Sequence, residues 1–327
     1  MIRSSRNAAL LAALSASFAP AWAQDGSELK AITVEDAQER SSIHLGSRSQ
    51  SASKLGLTAR ETPASVETVD QQQMQARGAR TFTEALRGMA GVSGGGNPAA
   101  PTTLSLRGFT NVLYLHDGMR SSGAMMANRV QDTWNYERIE VLRGPASVLD
   151  GEGAIGGVVN FVTKRPDRNN PNREAMLSYG SYGSTRGAVG LGGALGETGA
   201  YRIDYSRSDI RAGHVPRSGE RNEHLTTGLS FDLGSSVKLD LSFDYLKDNN
   251  DAYWGTPLVP ARFATQPLSV ASTPDGRVID RRMAGINYNV LDDENRSETY
   301  FARARLSGRL GDWTWRNELA GNKARRV

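Results

Sequence analysis

The sequence contains no cysteine, so disulfide bonds and thiolate metal sites are excluded. Its four histidines (44, 116, 214 and 224) are scattered, and none has a partner at the spacing of helical metal ligands. We interpret them as surface or loop residues. No block of Lys and Arg would follow a phosphate backbone, so nucleic acid is not a predicted partner. Beyond the first 23 residues no run approaches 18 apolar residues, which argues against a membrane-spanning helix in the mature chain.

The N-terminus has the pattern of a secretory signal peptide. Arg3 and Arg6 precede an apolar run over residues 8–19, and Ala21-Trp22-Ala23 gives the small-x-small cleavage pattern. We expect residues 1–23 to be removed and the mature chain to start near Gln24. Cleavage would remove two of the 39 basic residues, so the mature chain would have 37 basic and 35 acidic residues and a net charge of about +2.

A polar arm rich in Ser and Gln is predicted over residues 24–57. It holds one apolar island, Ile32, Thr33 and Val34. An extended segment of this kind can add as a strand to the sheet edge of a partner protein. The alternative is a chance apolar triplet in a linker, and the sequence leaves both interpretations open.

The stretch from Tyr136 to Asn160 requires a strand, a tight turn, a short helix, a Gly-rich turn and a second strand. The side chains of residues 138–142 alternate with the two-residue period of a strand, and Gly144-Pro145 ends this strand. Residues 146–149 suit one helical turn. Gly151, Gly153, Gly156 and Gly157 precede an extended run over 158–163.

Upstream, the same region predicts a small α/β domain. Residues 81–89 form an amphipathic helix pattern in which Thr81 or Thr83 is the N-cap. Residues 104–107 and 112–115 predict strands, and Asp117-Gly118 is a turn signal.

Gly151, Gly153 and Gly156 also spell the G-x-G-x-x-G fingerprint of dinucleotide-binding folds. That fingerprint follows a strand and opens a helix. Here a β-branched, strand-like run follows the glycines, so an exported nucleotide-binding enzyme is a weak alternative. We find no Ser/His/Asp, Cys/His or paired-carboxylate pattern and predict no enzymatic activity.

After Pro166 the strands become longer, and their side chains alternate strictly between an apolar and a polar face, as in Val237 to Tyr245. We predict about seven strands, and expect Arg303, Arg305 and Arg309 on the inner face. The predicted strands lie near 174–180, 184–195, 200–208, 223–233, 237–246, 298–310 and 313–320. Short connections (196–199, 234–236, 311–312) alternate with long ones (209–222, 247–297). A soluble β-sandwich would also alternate and is the alternative.

The stretch from Tyr136 to Asn160, together with Leu106-Arg107-Gly108-Phe109, resembles the plug domain of TonB-dependent outer-membrane receptors over roughly residues 60–166. The resemblance implies an α+β plug domain (58–166) followed by the first strands of an incomplete transmembrane β-barrel (167–327). It implies uptake of an iron-siderophore complex in a Gram-negative outer membrane, with TonB bound at a box formed by residues 32–34. Iron would be carried only as bound substrate, and no cofactor or resident metal is expected.

The resemblance also assigns roles to residues. The plug motif comprises Arg107, Gly108, Glu137, Arg138, Glu140, Arg143, Gly144, Pro145, Gly151, Gly153, Gly156, Gly157 and Asn160. We expect its charged members to pair across the plug or with the inner wall of the barrel. Candidate ligand contacts from the apical loops are Asn97, Met125, Met126, Arg129, Trp134, Tyr253 and Trp254.

Several alternatives remain open within the resemblance. Vitamin, haem or oligosaccharide uptake competes with siderophore uptake, and a non-transporting adhesin or passive pore would share the barrel strands. The short arm before Glu61 favours transport without a signalling domain. Seven strands are an odd count, and the last residues lack the terminal aromatic of the family's barrels. We therefore expect this sequence to be the first half of a receptor of about twice the length.

Overall fold

The computed structural model describes residues 65–94, 104–120, 131–144, 156–211, 213, 215–251, 253, 255–289 and 295–326. Statements about structure below concern these residues. No helix among them is long and apolar enough to cross a membrane. The predicted helical turn at 146–149 and the arm lie outside the described ranges.

The first domain, which we call the plug, is built from seven short strands and two short helices. They are β1 (Ser65–Asp70), α1 (Gln71–Ala76), α2 (Phe82–Leu86), β2 (Val92–Gly94), β3 (Leu104–Leu106), β4 (Val112–His116), β5 (Met119–Arg120), β6 (Tyr136–Arg143) and β7 (Gly157–Thr163). Five of these strands form a mixed sheet in the order β1-β6-β7-β4-β5, in which β4 and β7 are parallel and the other pairs antiparallel. Strands β2 and β3 pair separately.

Local sequence signals explain both helices. Thr81 is the N-cap of α2, and Glu84 completes a capping box with it. The predicted apolar face is confirmed, because Phe82, Ala85, Leu86 and Met89 are all buried. The helix ends earlier than predicted, since Arg87 is extended and Gly88 has a φ of +91°. Helix α1 was not predicted.

The second part is a seven-stranded antiparallel sheet that we call the wall. Its strands are β8 (Asn172–Tyr179), β9 (Thr185–Leu195), β10 (Gly199–Arg211), β11 (Gly219–Asp232), β12 (Val237–Asn250), β16 (Arg296–Leu310) and β17 (Trp313–Arg326). Each described wall strand pairs with its neighbour in chain order, and the sheet order is β17-β16-β12-β11-β10-β9-β8. The seven predicted strands are confirmed, with longer ends for several of them.

The connection between β12 and β16 carries structure of its own. It holds a three-stranded sheet in the order β13-β15-β14, formed by β13 (Val259–Pro260), β14 (Pro267–Ser272) and β15 (Arg277–Asp280). Single 3₁₀ turns lie at Ser181–Gly183, Ala261–Phe263 and Arg281–Met283. The long connection was predicted, but this small sheet was not.

Burial in the wall is inverted relative to a water-soluble sheet. On β10, Arg202, Asp204 and Ser206 are buried, whereas Ile203 and Tyr205 between them are exposed. The polar face therefore covers the plug, and the apolar face points outward. A soluble sandwich would bury the apolar face, so the structure favours a wall that faces lipid.

Candidate functional site: the interface between plug and wall

The charged plug motif forms its pairs inside the plug. Arg138 lies between two carboxylates, 2.7 Å from Glu137 and 2.9 Å from Glu140. Glu140 is fully buried and also accepts a hydrogen bond from Asn160 Nδ2 at 3.2 Å. Asn160 Oδ1 in turn accepts the backbone N–H of Gly118 at 2.9 Å. This chain of bonds across β6 and β7 braces the turn at Asp117-Gly118.

The remaining described motif residues have backbone roles or pair within the plug. Arg143 forms an ion pair with Glu67 of β1, and burial lowers the pKa of Arg143. Arg107 and Gly108 form a turn at positive φ, in which the Arg107 N–H donates to the Gly91 carbonyl at 2.7 Å. Gly144 also has a positive φ, of 102°. Pro145, Gly151 and Gly153 lie outside the described residues.

Gly156 and Gly157 allow a close approach of backbones. A Cβ on Gly156 would lie 2.9 Å from the Cβ of Phe109, and one on Gly157 would lie 2.2 Å from the carbonyl oxygen of Leu142. Strand β7 begins at Gly157, so the last glycines of the G-x-G-x-x-G pattern lead into a strand. A dinucleotide fingerprint needs a helix there, so the structure does not support the nucleotide-binding alternative.

The Asp117 turn reaches the wall. Asp117 is buried in the turn between β4 and β5, and its carboxylate accepts hydrogen bonds from the N–H and hydroxyl of Thr163 at 3.0 and 2.8 Å. Arg303 of β16 donates to the Asp117 carboxylate and to its backbone carbonyl, both at 3.0 Å. Burial raises the pKa of Asp117, but the charges of His116 and Arg303 outweigh it, so its pKa is lowered.

Two histidines, one from the plug and one from the wall, share a wall carboxylate. His116 Nε2 of the plug lies 3.0 Å from Asp244 Oδ2, and His224 Nε2 of β11 lies 2.9 Å from Asp244 Oδ1. Both histidines are buried, so our prediction of surface or loop positions is wrong for these two. Their shared acidic partner, Asp244, lies far along the chain from both, so no local spacing in the sequence pointed to it. His44 and His214 lie outside the described residues.

Asn135 of the plug is fully buried against two wall strands. Its amide nitrogen donates to the Asp204 and His224 carbonyls at 3.1 and 3.3 Å and to Thr226 Oγ1 at 3.1 Å. Its amide oxygen accepts the Ser206 hydroxyl at 2.8 Å. One amide thus joins the plug to both β10 and β11.

Asp132 and Trp134 add contacts from the same plug segment. Arg186 of β9 binds the Asp132 carboxylate through two nitrogens, at 2.7 and 2.6 Å. The Trp134 indole N–H donates to the Val189 carbonyl at 3.3 Å, and Lys164 Nζ lies 4.3 Å from the centre of its ring. Trp134 is only 5% exposed. Because it is enclosed between plug and wall, we remove it from the candidate ligand contacts.

A cluster of charges lies where the plug joins the first wall strand. Lys164 Nζ lies 2.8 Å from Glu174 and 3.2 Å from Asp204. Arg202 bonds to both oxygens of Asp204 at 2.6 Å and also pairs with Glu174. A cavity of about 100 Å³ lies between this cluster and the Asp117 turn, lined on its wall side by Asp244 and Arg303 among others.

Sequence reasoning missed most of these contacts. We expected the motif charges to pair across the plug or with the inner wall, and Arg138 and Arg143 pair within the plug. The residues that reach the wall lie beside the motif: His116, Asp117, Asp132, Asn135 and Lys164. One signal was present, since Asp117 precedes Gly118 in a predicted turn. Among the described residues, no group of three or more His, Asp or Glu side chains is arranged to hold a metal ion.

Of the other predicted ligand contacts, only Tyr253 is described. It is partly buried, and its hydroxyl lies 3.1 Å from Thr256 Oγ1. Asn97, Met125, Met126, Arg129 and Trp254 lie outside the described residues, as do Ile32, Thr33 and Val34.

An α+β plug seated by polar contacts on a wall with an apolar outer face fits a plugged outer-membrane protein. Comparison with known proteins agrees. Residues 58–158 match the family described as TonB-dependent Receptor Plug Domain. The chain is 26% identical over 273 residues to the catecholate siderophore receptor Fiu of Escherichia coli K12, which covers 80% of this chain and 35% of Fiu. It is 29% identical over 212 residues to the ferripyoverdine receptor of Pseudomonas aeruginosa, covering 61% of this chain and 25% of that receptor.

Solved structures share the fold. The closed form of Fiu superposes with a TM-score of 0.67 at 22% identity and covers 86% of this chain and 40% of Fiu. The P. aeruginosa ferripyoverdine receptor bound to ferripyoverdine gives 0.66 at 22% identity, over 84% of this chain and 36% of that receptor. The chain is therefore similar to TonB-dependent receptors, a class of receptors of the Gram-negative outer membrane, and its residues 58–158 match their plug domain. It spans about a third of the length of the curated relatives it matches.

Proposed function

We propose that this sequence is part of a receptor that takes up an iron-siderophore complex across the outer membrane, driven by TonB. The observation that carries the gating part of the proposal is the set of polar contacts that Asp117, Asp132, Asn135 and Lys164 make with the wall, which we call the polar seat of the plug. The substrate class rests on the relatives, which include receptors for catecholate siderophores and for ferripyoverdine.

The seat suits a plug that must move. Its described contacts to the wall run mainly through Asp117, Asp132, Asn135 and Lys164, and each exchanges protein partners for water when the plug shifts. Such exchange costs about 0.5–1.5 kcal/mol for a neutral hydrogen bond and about 1.5–3 kcal/mol for a charged one. A pull on the arm can therefore release the contacts in succession without breaking the wall.

Energy coupling is proposed at residues 32–34, where an extended segment would add as a strand to TonB. Val34→Pro should abolish uptake and leave ligand binding intact, because proline removes the backbone donor that strand addition uses. Ala52→Pro, in the same arm but outside the island, is the matched control.

The test measures growth on the cognate iron chelate together with surface binding of radiolabelled chelate to whole cells. Normal uptake by Val34→Pro would place the coupling segment elsewhere. Uptake that persists in cells without TonB would refute the proposed mechanism itself.

The ligand contacts are proposed to come from Asn97, Met125, Met126, Arg129 and the aromatic pair at 253 and 254. Arg129 would meet an anionic chelate, and the apolar side chains its organic shell. A panel of ferric catecholates, ferric pyoverdines, haem and a corrinoid, titrated against the intrinsic fluorescence of the complete receptor, identifies the ligand class. Saturable quenching by haem or the corrinoid alone would replace the siderophore proposal.

A further inference from the structure

The carboxylate of Asp244 lies between two imidazoles that belong to different parts of the molecule. His116 ends strand β4 of the plug, and its Nε2 lies 3.0 Å from one carboxylate oxygen. His224 belongs to wall strand β11, and its Nε2 lies 2.9 Å from the other oxygen. The three residues are 7%, 1% and 8% exposed for His116, His224 and Asp244. The contact between His116 of the plug and Asp244 of the wall is therefore shielded from solvent. Electrostatic contacts are stronger in such a buried environment than in water.

The groups that face this cluster come from four elements. From the plug, Asp117 Oδ2 lies 3.9 Å from His116 Nε2, and the Tyr136 ring lies 6.5 Å from the His116 ring and 5.5 Å from the His224 ring. From the wall, Arg303 reaches Asp117, and the Phe301 ring lies 4.9 Å from that of His116.

Two further ionisable groups, Arg165 and Tyr136, lie near the cluster. Arg165, in the segment after β7, adds positive charge near Asp117. Burial raises the pKa of Tyr136 well above 10, so its hydroxyl stays neutral at physiological pH. His116 is therefore the plug group in this cluster that can change its charge near neutral pH.

The hydrogen-bond pattern distinguishes the two histidines. Within the described part of the chain, Nδ1 of His224 is buried and has no hydrogen-bond partner. A proton there would be a buried donor without an acceptor, which is unfavourable. The hydrogen bond of the His224 ring is therefore its Nε2 contact with Asp244 Oδ1. His116 has two carboxylates within 4 Å and is the histidine that gains a positive charge.

We propose that His116 and Asp244 form a proton-dependent clasp, in which protonated His116 holds the plug against the wall and its deprotonation loosens the plug. The ion pairs of Asp117 with Arg303 and of Asp132 with Arg186 are separate contacts that also hold the plug against the wall. The clasp sets how readily the seated plug moves, whichever ligand the receptor takes.

The direction of the pH effect follows from the surroundings of His116. Burial lowers the pKa of His116, but the carboxylates of Asp244 and Asp117 outweigh burial, so its pKa is raised above 6.5. The contribution of the clasp is then fully present below the ordinary histidine pKa of about 6.5 and is lost as pH rises through the raised pKa.

The sequence has no cysteine, so an engineered thiol is unique within this part of the chain, and any cysteine elsewhere in the complete receptor is replaced by serine for the assay. Ser208→Cys places a thiol on β10 at a position that is 3% exposed, on the same face as Ser206, which bonds to the plug. Gln266→Cys places one in the exposed connection between β12 and β16. The ratio of maleimide labelling at the first site to that at the second corrects for the part of the thiol titration that the two sites share, and the same ratio in the His116→Gln background corrects for the rest.

We expect this ratio to rise roughly tenfold between about pH 5.5 and about pH 8.5, which is the scale of one charge-assisted contact. His116→Gln should remove the rise and label at the high-pH rate throughout. His224→Gln should keep the rise. A flat ratio with native His116, a rise that persists in His116→Gln, or its loss in His224→Gln would each overturn the proposal.

Discussion

Asn135 is the plug residue whose replacement tests the polar seat most directly. Asn135→Ala removes an amide that is 0% exposed and that makes three donor contacts and one acceptor contact with the wall. The truncation leaves the fold of the plug intact, because all four contacts reach the other part of the molecule. The change therefore acts on docking.

The expected loss of docking free energy follows from the hydrogen bonds that each wall partner of Asn135 loses. The Asp204 and His224 carbonyls stand in paired strands, so they lose little. The hydroxyls of Ser206 and Thr226 are 0% and 6% exposed and lose a partner, at about 1–3 kcal/mol for a buried group that no water reaches. With partial relaxation, docking should weaken by about 2–4 kcal/mol, which is about 30- to 1,000-fold in the ratio of seated to released plug.

The assay is maleimide labelling at Ser208→Cys over a series of urea concentrations too low to unfold the wall. A double-mutant cycle with Ser206→Ala should give a coupling energy of about 1 kcal/mol, since the two side chains share one bond. Asn170→Ala, at an exposed position, is the control. A change of less than about twofold in Asn135→Ala, or no coupling to Ser206, would refute the view that this amide seats the plug.

Three further predictions rest on single contacts. Asp132→Asn should weaken docking by about 3 kcal/mol in the same labelling assay, because it leaves the largely buried Arg186 without its carboxylate partner. The double variant Asp132→Asn with Arg186→Met should recover part of that loss. Gly157→Ala should destabilise the plug by about 3 kcal/mol or more in thermal unfolding, since its φ is +142° and the new Cβ would lie 2.2 Å from a carbonyl oxygen. Gly321→Ala is the control and should have a small effect on stability, because a Cβ there meets nothing within 4 Å. Arg129→Ala should weaken chelate binding by about 1.5–3 kcal/mol in a fluorescence titration. Unchanged affinity in a correctly assembled receptor would mean that Arg129 does not contact the ligand.

Periodicity predicted the strands well but their ends poorly. The alternation of Ile203 with Asp204 placed β10 correctly, because lipid and plug impose opposite polarities on the two faces. Towards its end, Asp209 and Arg211 are both polar, so the alternation fades while pairing continues. The predicted connection over 209–222 is therefore only the seven residues between β10 and β11.

The missed helix α1 has a physical reason. Of its six residues only Met74 is buried, so it has almost no apolar face to detect. Its capping box was visible, because Asp70 and Gln73 have the spacing in which each side chain bonds the other's backbone N–H, at 2.8 and 3.2 Å. A search for caps without a periodic face would have found it.

The plug–wall contacts depended on geometry that no local pattern encodes. Asp117 meets Arg303 because a plug turn is aimed at the middle of β16, and the register of seven strands decides which wall residue faces it. The inner-face prediction for Arg303 was sound, yet nothing in the sequence joined it to Asp117. Strand periodicity gives the face of a residue, whereas its partner across an interface follows only from the assembled fold.

The core of the plug explains how the domain can be both folded and movable. Its main apolar cluster, which includes Phe82, Leu86, Tyr136 and Phe161, consists entirely of plug residues. Moving the plug from the wall therefore uncovers mostly polar groups that water can solvate, while the cluster stays closed. The alternative, a core shared with the wall, would tie plug movement to exposure of apolar area at about 25 cal/mol per Å². On the proposed mechanism, the separation of an apolar core from a polar seat would let a mechanical pull act on docking without unfolding the plug.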